Sequence, residues 1–95
     1  MSNASITAET LGLARPAKRS LRLAGHRTSV SVEEPFWNEF RAIARRRGRS
    51  LNALAAEIDR VRGLDTGLAT AIRLFVLADL RARLAACEAE LAARA

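Results

Sequence analysis

The chain has 95 residues, with 16 Lys and Arg against 10 Asp and Glu for a net charge of +6, and a single cysteine. A length this short bounds it to one domain whose core is marginal as a monomer, so association with a second copy is the expected remedy. No basic segment followed by an apolar run opens the sequence, and no stretch approaches about 18 uninterrupted apolar residues. A cytoplasmic protein without membrane contact is therefore expected, and the lone Cys87 leaves no internal disulfide and no cysteine metal cluster.

Residues 1–17 mix Ser, Thr, Ala and Gly with weak periodicity and end near Arg15-Pro16, which reads as a flexible arm. The run Lys18-Arg19-Ser20-Leu21-Arg22-Leu23 alternates briefly before Gly25, a residue that marks a bend, a bulge or a loop. Whether residues 20–24 form a strand stays open at this level.

From Arg27 to Val32 the alternation is strict. Successive strand side chains point to opposite faces, so Arg27, Ser29 and Ser31 share one face while Thr28, Val30 and Val32 share the other. A single strand cannot satisfy its own N–H and C=O groups, so its expected partner is its copy in a second chain, which makes a dimer part of the fold. A two-stranded ribbon of this kind fits the DNA major groove.

The next segment places Phe36, Trp37, Phe40, Ile43 and Ala44 on one helical stripe. Glu33 and Glu34 suit the positive end of the helix dipole, Pro35 is tolerated in the first turn, and Arg45, Arg46 and Arg47 before Gly48 form a stop. Ser50 is the N-cap of a second helix with apolar positions Leu51, Leu54, Ala55, Ile58 and Val61; Ala53 rules out a reciprocal capping box. Gly63 and Gly67 bracket a connection to a third helix starting near residue 68, with Leu68, Ile72, Phe75, Val76 and Leu77 apolar over a wide arc. Beyond it Leu77, Leu80, Leu84, Cys87 and Leu91 follow a 3,4 spacing over about two heptads, fewer than a confident coiled coil has, so residues 81–95 read as an amphipathic helical tail.

Charge is concentrated early. Residues 1–32 carry five cations against Glu9, residues 33–63 carry seven against five acids, and the remainder balances at four against four. An anionic partner approaching the ribbon half is favoured, and nucleic acid is the first choice. The guanidinium of Arg27 is suited to guanine O6 and N7, with a phosphate contact as its alternative. The Arg45-Arg46-Arg47-Gly48-Arg49 run, with Lys18 and Arg19 in the basic half, supplies phosphate-contact candidates. His26 has no metal-site or acid–base partners at recognisable spacing; it orients the ribbon or touches phosphate. No triad, glycine-rich phosphate loop or ligand cluster is present, so neither an enzyme nor a cofactor is expected.

The order strand, helix, Gly-Ser turn, helix resembles the ribbon-helix-helix superfamily of bacterial DNA-binding proteins, of the MetJ and Arc type. Gly25-His26-Arg27-Thr28-Ser29, Glu34-Pro35-Phe36-Trp37, Gly48 to Leu54 with Ile58-Asp59, and Ala71 to Leu77 are similar to a small family of predicted regulators with that fold, over about residues 18–80. The resemblance implies a mainly α, β-α-α intertwined dimer, here with an added C-terminal amphipathic helix. Its domain would span 18–80, between the arm and the 81–95 tail. It also implies a double-stranded DNA partner, base contact by Arg27, Ser29 and Ser31, and phosphate contact at the second-helix N-terminus by Ser50, Leu51 and Asn52. Arg46, Arg47, Arg49, Lys18, Arg19 and His26 would add phosphate contacts, and Val30, Val32, Phe36, Trp37, Phe40, Ile43, Leu54 and Ile58 would form the dimer core. Repression by operator occupancy is the default function, with assembly beyond the dimer left open; a protein-interaction module using the C-terminal helix is the alternative.

Overall fold

The computed structural model describes residues 5–13 and 15–95. Residues 1–4 and 14 of the expected arm lie outside them. Among the described residues before the first strand is one helical turn, α1 (Ala8–Leu11), whose Thr7 and Thr10 cap each other reciprocally. Gly12 closes it at a φ of 60°, and a Cβ there would collide with the Pro35 ring, so this turn packs directly on the start of the next helix.

Two strands follow, β1 (Ala17–Leu23) and β2 (His26–Val32). They pair with each other, antiparallel, from Ala17 opposite Val32 to Leu23 opposite His26. This corrects the expected interchain ladder: the partner of β2 is β1 of the same chain. The connection is two residues, Ala24 and Gly25, with φ of 49° and 82°. Positive φ at both central positions is the type I′ signature, whose twist matches that of paired strands. Glycine adopts it freely; Ala24 does so against its intrinsic preference, and the seven-residue ladder offsets that cost.

The helices are α2 (Glu34–Arg46), α3 (Leu51–Val61) and α4 (Leu68–Arg94). At the end of α2, Gly48 at a φ of 63° lets its own N–H reach the Arg45 carbonyl at 3.1 Å and the Arg49 N–H reach the Ala44 carbonyl at 3.0 Å, a Schellman closure. The Ser50 hydroxyl accepts from the Ala53 N–H at 3.1 Å, opening α3 as its cap chemistry requires. α4 runs unbroken for 27 residues, about 40 Å at helical rise, so the third helix and the tail are one element.

The core lies between the inner face of the hairpin and the three long helices. Val32, Phe40, Ile43, Leu54, Ile72 and Val76 are fully buried, with Leu21, Leu23, Val30, Trp37, Ala44, Ala55 and Ile58 around them. Phe40 is the hub: its ring lies 5.7 Å from that of Trp37 and meets Phe75 edge-on at 6.1 Å. Residues assigned to a dimer core are thus covered within one chain, Phe36 alone of that set being only partly buried. Leu21, Leu23, Ile72 and Val76 supply what a second copy was expected to supply. Val61, the last residue of α3, is 80% exposed and lines a cleft shared with α4. α4 is tied down by Arg73, which donates to Glu33 at 2.7 and 3.1 Å, by Asp79, which accepts from Arg47 at 2.9 Å, and by Arg83, which pairs with Glu39. Among the described residues, no helix is long and apolar enough to cross a membrane.

Candidate nucleic-acid interface

The register decides which side chains share the outer face of the hairpin. Lys18 stands opposite Ser31, Ser20 opposite Ser29, and Arg22 opposite Arg27. Since the face alternates along both strands, these six residues form one surface of three cations and three hydroxyls, all exposed, without a carboxylate among them. The cations Lys18, Arg22 and Arg27 make no ion pair among the described residues, although the molecule has nine ion pairs elsewhere among them. Arg22 and Arg27 directly oppose each other, a like-charge cross-strand pair that disfavours the free hairpin and that an anion would relieve.

Arg22 has a second role through its backbone. In a two-residue hairpin the first pair beyond the turn is hydrogen-bonded and the next is not, so the Arg22 N–H points off the edge of the ribbon. It donates to Oδ1 of Asn52 at 3.0 Å, which fastens the first turn of α3 to β1. Ser20, Leu21, Arg22, Arg27 and Asn52 line a recess of about 200 Å³ at this junction. The N-terminus of α3, with Ser50 as cap, therefore lies beside the basic face, and its free N–H groups and dipole favour an anion there.

Other expected contacts are placed differently. Arg19 falls on the inner face by alternation; its guanidinium sits 5.5 Å over the Trp37 ring and 3.7 Å from Glu34, which withdraws it from the outward set. His26 shares that inner parity but lies exposed at the turn end of the ribbon, opposite Leu23. Three arginines at the end of α2 and in the turn after it are occupied by acids: Arg46 and Arg47 face Asp79 at 3.5 and 2.9 Å, Arg47 also lies over Phe75, and Arg49 pairs with Glu57. Asn52 spends its side-chain acceptor on the Arg22 N–H. Burial pushes the Asp79 carboxyl up, but hydrogen bonds from Arg47 and Arg83 outweigh it and hold the group below the usual carboxylate value. Hydrogen bonds from Arg49 and Arg73 likewise lower the pKa of Glu57 and Glu33. These arginines fasten helices to one another in the free protein.

The structure brings Arg27, Ser29, Ser31 and Lys18 onto one face, as alternation requires, and adds Ser20 and Arg22, which the sequence reading left out of the site. The signal was present in the period-two spacing of Lys18, Ser20 and Arg22, but charged Arg19 at an inward position broke the apolar half of the pattern. A separate cleft of about 470 Å³, lined mainly by apolar residues of α3 and α4 including Leu54, Ile58, Leu74 and Phe75, includes no hairpin residue.

In comparisons with known proteins, residues 16–80 match a family model described as a ribbon-helix-helix domain. Neither a curated protein nor a solved structure matches the chain. The matched segment begins one residue before β1 and ends within α4, so it contains the hairpin face, the α3 N-terminus and the whole buried core.

Proposed function

Since the chain belongs to the ribbon-helix-helix domain family, and so is a DNA-binding regulator in the general sense, we propose that it is a sequence-selective transcriptional repressor whose own β1–β2 ribbon inserts into the major groove. The observation that carries this reading is the outer hairpin face, where Lys18, Arg22 and Arg27 stand among three serines with no acid on that face and no ion pair among the described residues. Arg22 and Arg27 read base edges, each able to donate two hydrogen bonds to guanine; the serines add short contacts of lower selectivity. Lys18 and the backbone N–H groups of Ser50, Leu51 and Asn52 hold phosphates and set the register. Arg46, Arg47 and Arg49 contribute only after exchanging a carboxylate for a phosphate, so they are secondary.

A homodimer acts as the binding unit. Each chain carries a complete ribbon, so the dimer presents two reading heads and its operator holds two symmetric half-sites. The bound DNA blocks transcription by occupancy, and no catalytic step is required.

The test is selection of bound duplexes from a random library at near-physiological salt, followed by titration of the enriched site. Arg27→Ala is expected to weaken that site by about 5- to 150-fold for each half-site, the equivalent of ~1–3 kcal/mol per bidentate pair, with a much smaller loss on unrelated DNA. Lys18→Ala is expected to weaken all DNA and to reduce the salt slope by about 0.9 for each phosphate the protein no longer neutralises. Retention of DNA without any enriched motif, or an Arg27→Ala variant that binds the enriched site like the parent, refutes the base-reading assignment.

A further inference from the structure

We infer that the Asn52 side chain is a positioning residue for sequence selection: it ties the helix terminus that grips phosphate to the strand that reads bases. This role deepens the ribbon reading above and rests on it.

The starting observation is one hydrogen bond between segments 30 residues apart. The Arg22 N–H donates to Oδ1 of Asn52 at 3.0 Å. Because the donor is a backbone N–H, only the amide oxygen can face it, which fixes the orientation of the amide. Arg22 lies in β1 opposite Arg27, so the bond sits at the ribbon position shared by the two base readers. Asn52 is the second residue of α3, after the cap Ser50 and Leu51. The Ala53 N–H is taken by the Ser50 hydroxyl and the Leu54 N–H by the Ser50 carbonyl. The N–H groups of Leu51 and Asn52 precede the first closed turn and have no acceptor within the helix. One residue therefore offers its backbone N–H to an anion and its side-chain oxygen to the ribbon edge.

The other contacts between these parts hold them together without setting their register. Leu21 and Leu23 share the buried core with Leu54 and Ala55, and apolar attraction is non-directional, so β1 can slide on α3 at little cost. At the far end of the ribbon Arg73 donates to the Ser31 carbonyl at 3.4 Å, but it comes from α4 and not from the helix whose terminus holds phosphate. Among the described residues, no other hydrogen bond joins α3 to the ribbon. The two kinds of DNA contact differ in what they tolerate. A phosphate at a helix N-terminus is held by N–H groups and the helix dipole, and it accepts a small displacement. A guanidinium on guanine needs two donors aligned at once, and hydrogen bonds weaken steeply when bent. A β1 free to shift against α3 keeps its grip on phosphate and loses discrimination between bases.

The experiment is titration of the full chain on the enriched duplex and on a scrambled duplex of the same length and composition, with circular dichroism to verify that each variant is folded at the assay temperature. The ratio of the two affinities is the readout. Asn52→Ala is expected to lower that ratio at least about 5-fold for each half-site, the low end of one bidentate pair. Asn52→Asp keeps the acceptor and adds an anion beside the phosphate, so it should weaken both duplexes and leave the ratio within about twofold of the parent's. Leu54→Val loosens the packing of α3 with the hydrogen bond in place, and should melt lower at an unchanged ratio. An Asn52→Ala ratio equal to the parent's overturns the positioning role and leaves the base reading standing. So does an equal loss of ratio in Leu54→Val, which would make Asn52 a stabilising contact only. A loss in Asn52→Asp as large as in Asn52→Ala overturns the hydrogen bond as the cause. A library that yields no enriched duplex overturns the ribbon reading, and this role with it.

Discussion

The opposition of Arg22 and Arg27 predicts a trade between folding and binding. Replacing Arg22 with Gln keeps most of the side-chain length, and its backbone N–H still reaches Asn52, so the hairpin edge is preserved. What changes is the charge directly opposite Arg27. Cross-strand pairs contribute roughly 0.2–1 kcal/mol, and for two exposed arginines in water the repulsion falls at the low end of that range. A domain of this size shifts by about 4–8 °C per kcal/mol, so Arg22→Gln is expected to melt about 1–3 °C higher than the parent at low salt. The gain should vanish at about 1 M salt, where the screening length is only about 3 Å. Binding should move the other way, with affinity for a selected site falling by about 5- to 150-fold for each half-site. Thermal melts at two salt concentrations, paired with titrations on the same site, measure both. Lower melting together with unchanged binding would mean that the two arginines do not share an outward face, and the surface derived from the register would be wrong.

Three further outcomes follow from contacts elsewhere. Asn52→Ala strands the Arg22 N–H at the ribbon edge and is expected to lower stability by about 1 kcal/mol, while Asn52→Asp, which keeps the acceptor, should lose less; melting temperatures decide. Ala24→Asn places a residue tolerant of positive φ in the type I′ turn and is expected to stabilise by about 0.5–1 kcal/mol, whereas destabilisation would show that this turn does not join the strands. Asp79→Asn should cost about 1 kcal/mol near neutral pH, discounted for the exposure of its arginine partners. Because the folded pKa of Asp79 lies below the ordinary 3.8, its stabilisation is present above that value and is lost as pH falls through the lower, folded one. The melting difference between parent and Asp79→Asn should therefore shrink as pH is taken from about 5 to about 2, and a constant difference would refute the ion-pair account.

Much of the fold is encoded locally. The alternation of Arg27 to Val32 identifies β2 and its two faces, the stripe from Phe36 to Ala44 identifies α2, and Gly48 and Ser50 mark where one helix stops and the next begins. Each signal depends on a few neighbouring residues, because strand pleat, helical period and capping are short-range chemistry. The outward positions Arg27, Ser29 and Ser31 were legible for the same reason.

Pairing partners are a different kind of information. A strand's hydrogen-bond ladder can be completed by any strand of suitable length, and the choice of β1 over a second copy rests on a turn whose first residue, Ala24, adopts positive φ only because the ladder stabilises it. Periodicity cannot show that. Nor can it show that Arg19 turns inward onto Trp37, that Asn52 closes the edge of β1, or that Asp79 holds arginines 32 and 33 residues away. By itself the sequence determined β2, the helices after it, the stop at Gly48 and the cap at Ser50, and the basic character of the ribbon half. The tertiary structure decided which strand completes the ribbon and which cations remain free for DNA, since both depend on contacts between segments far apart in the chain.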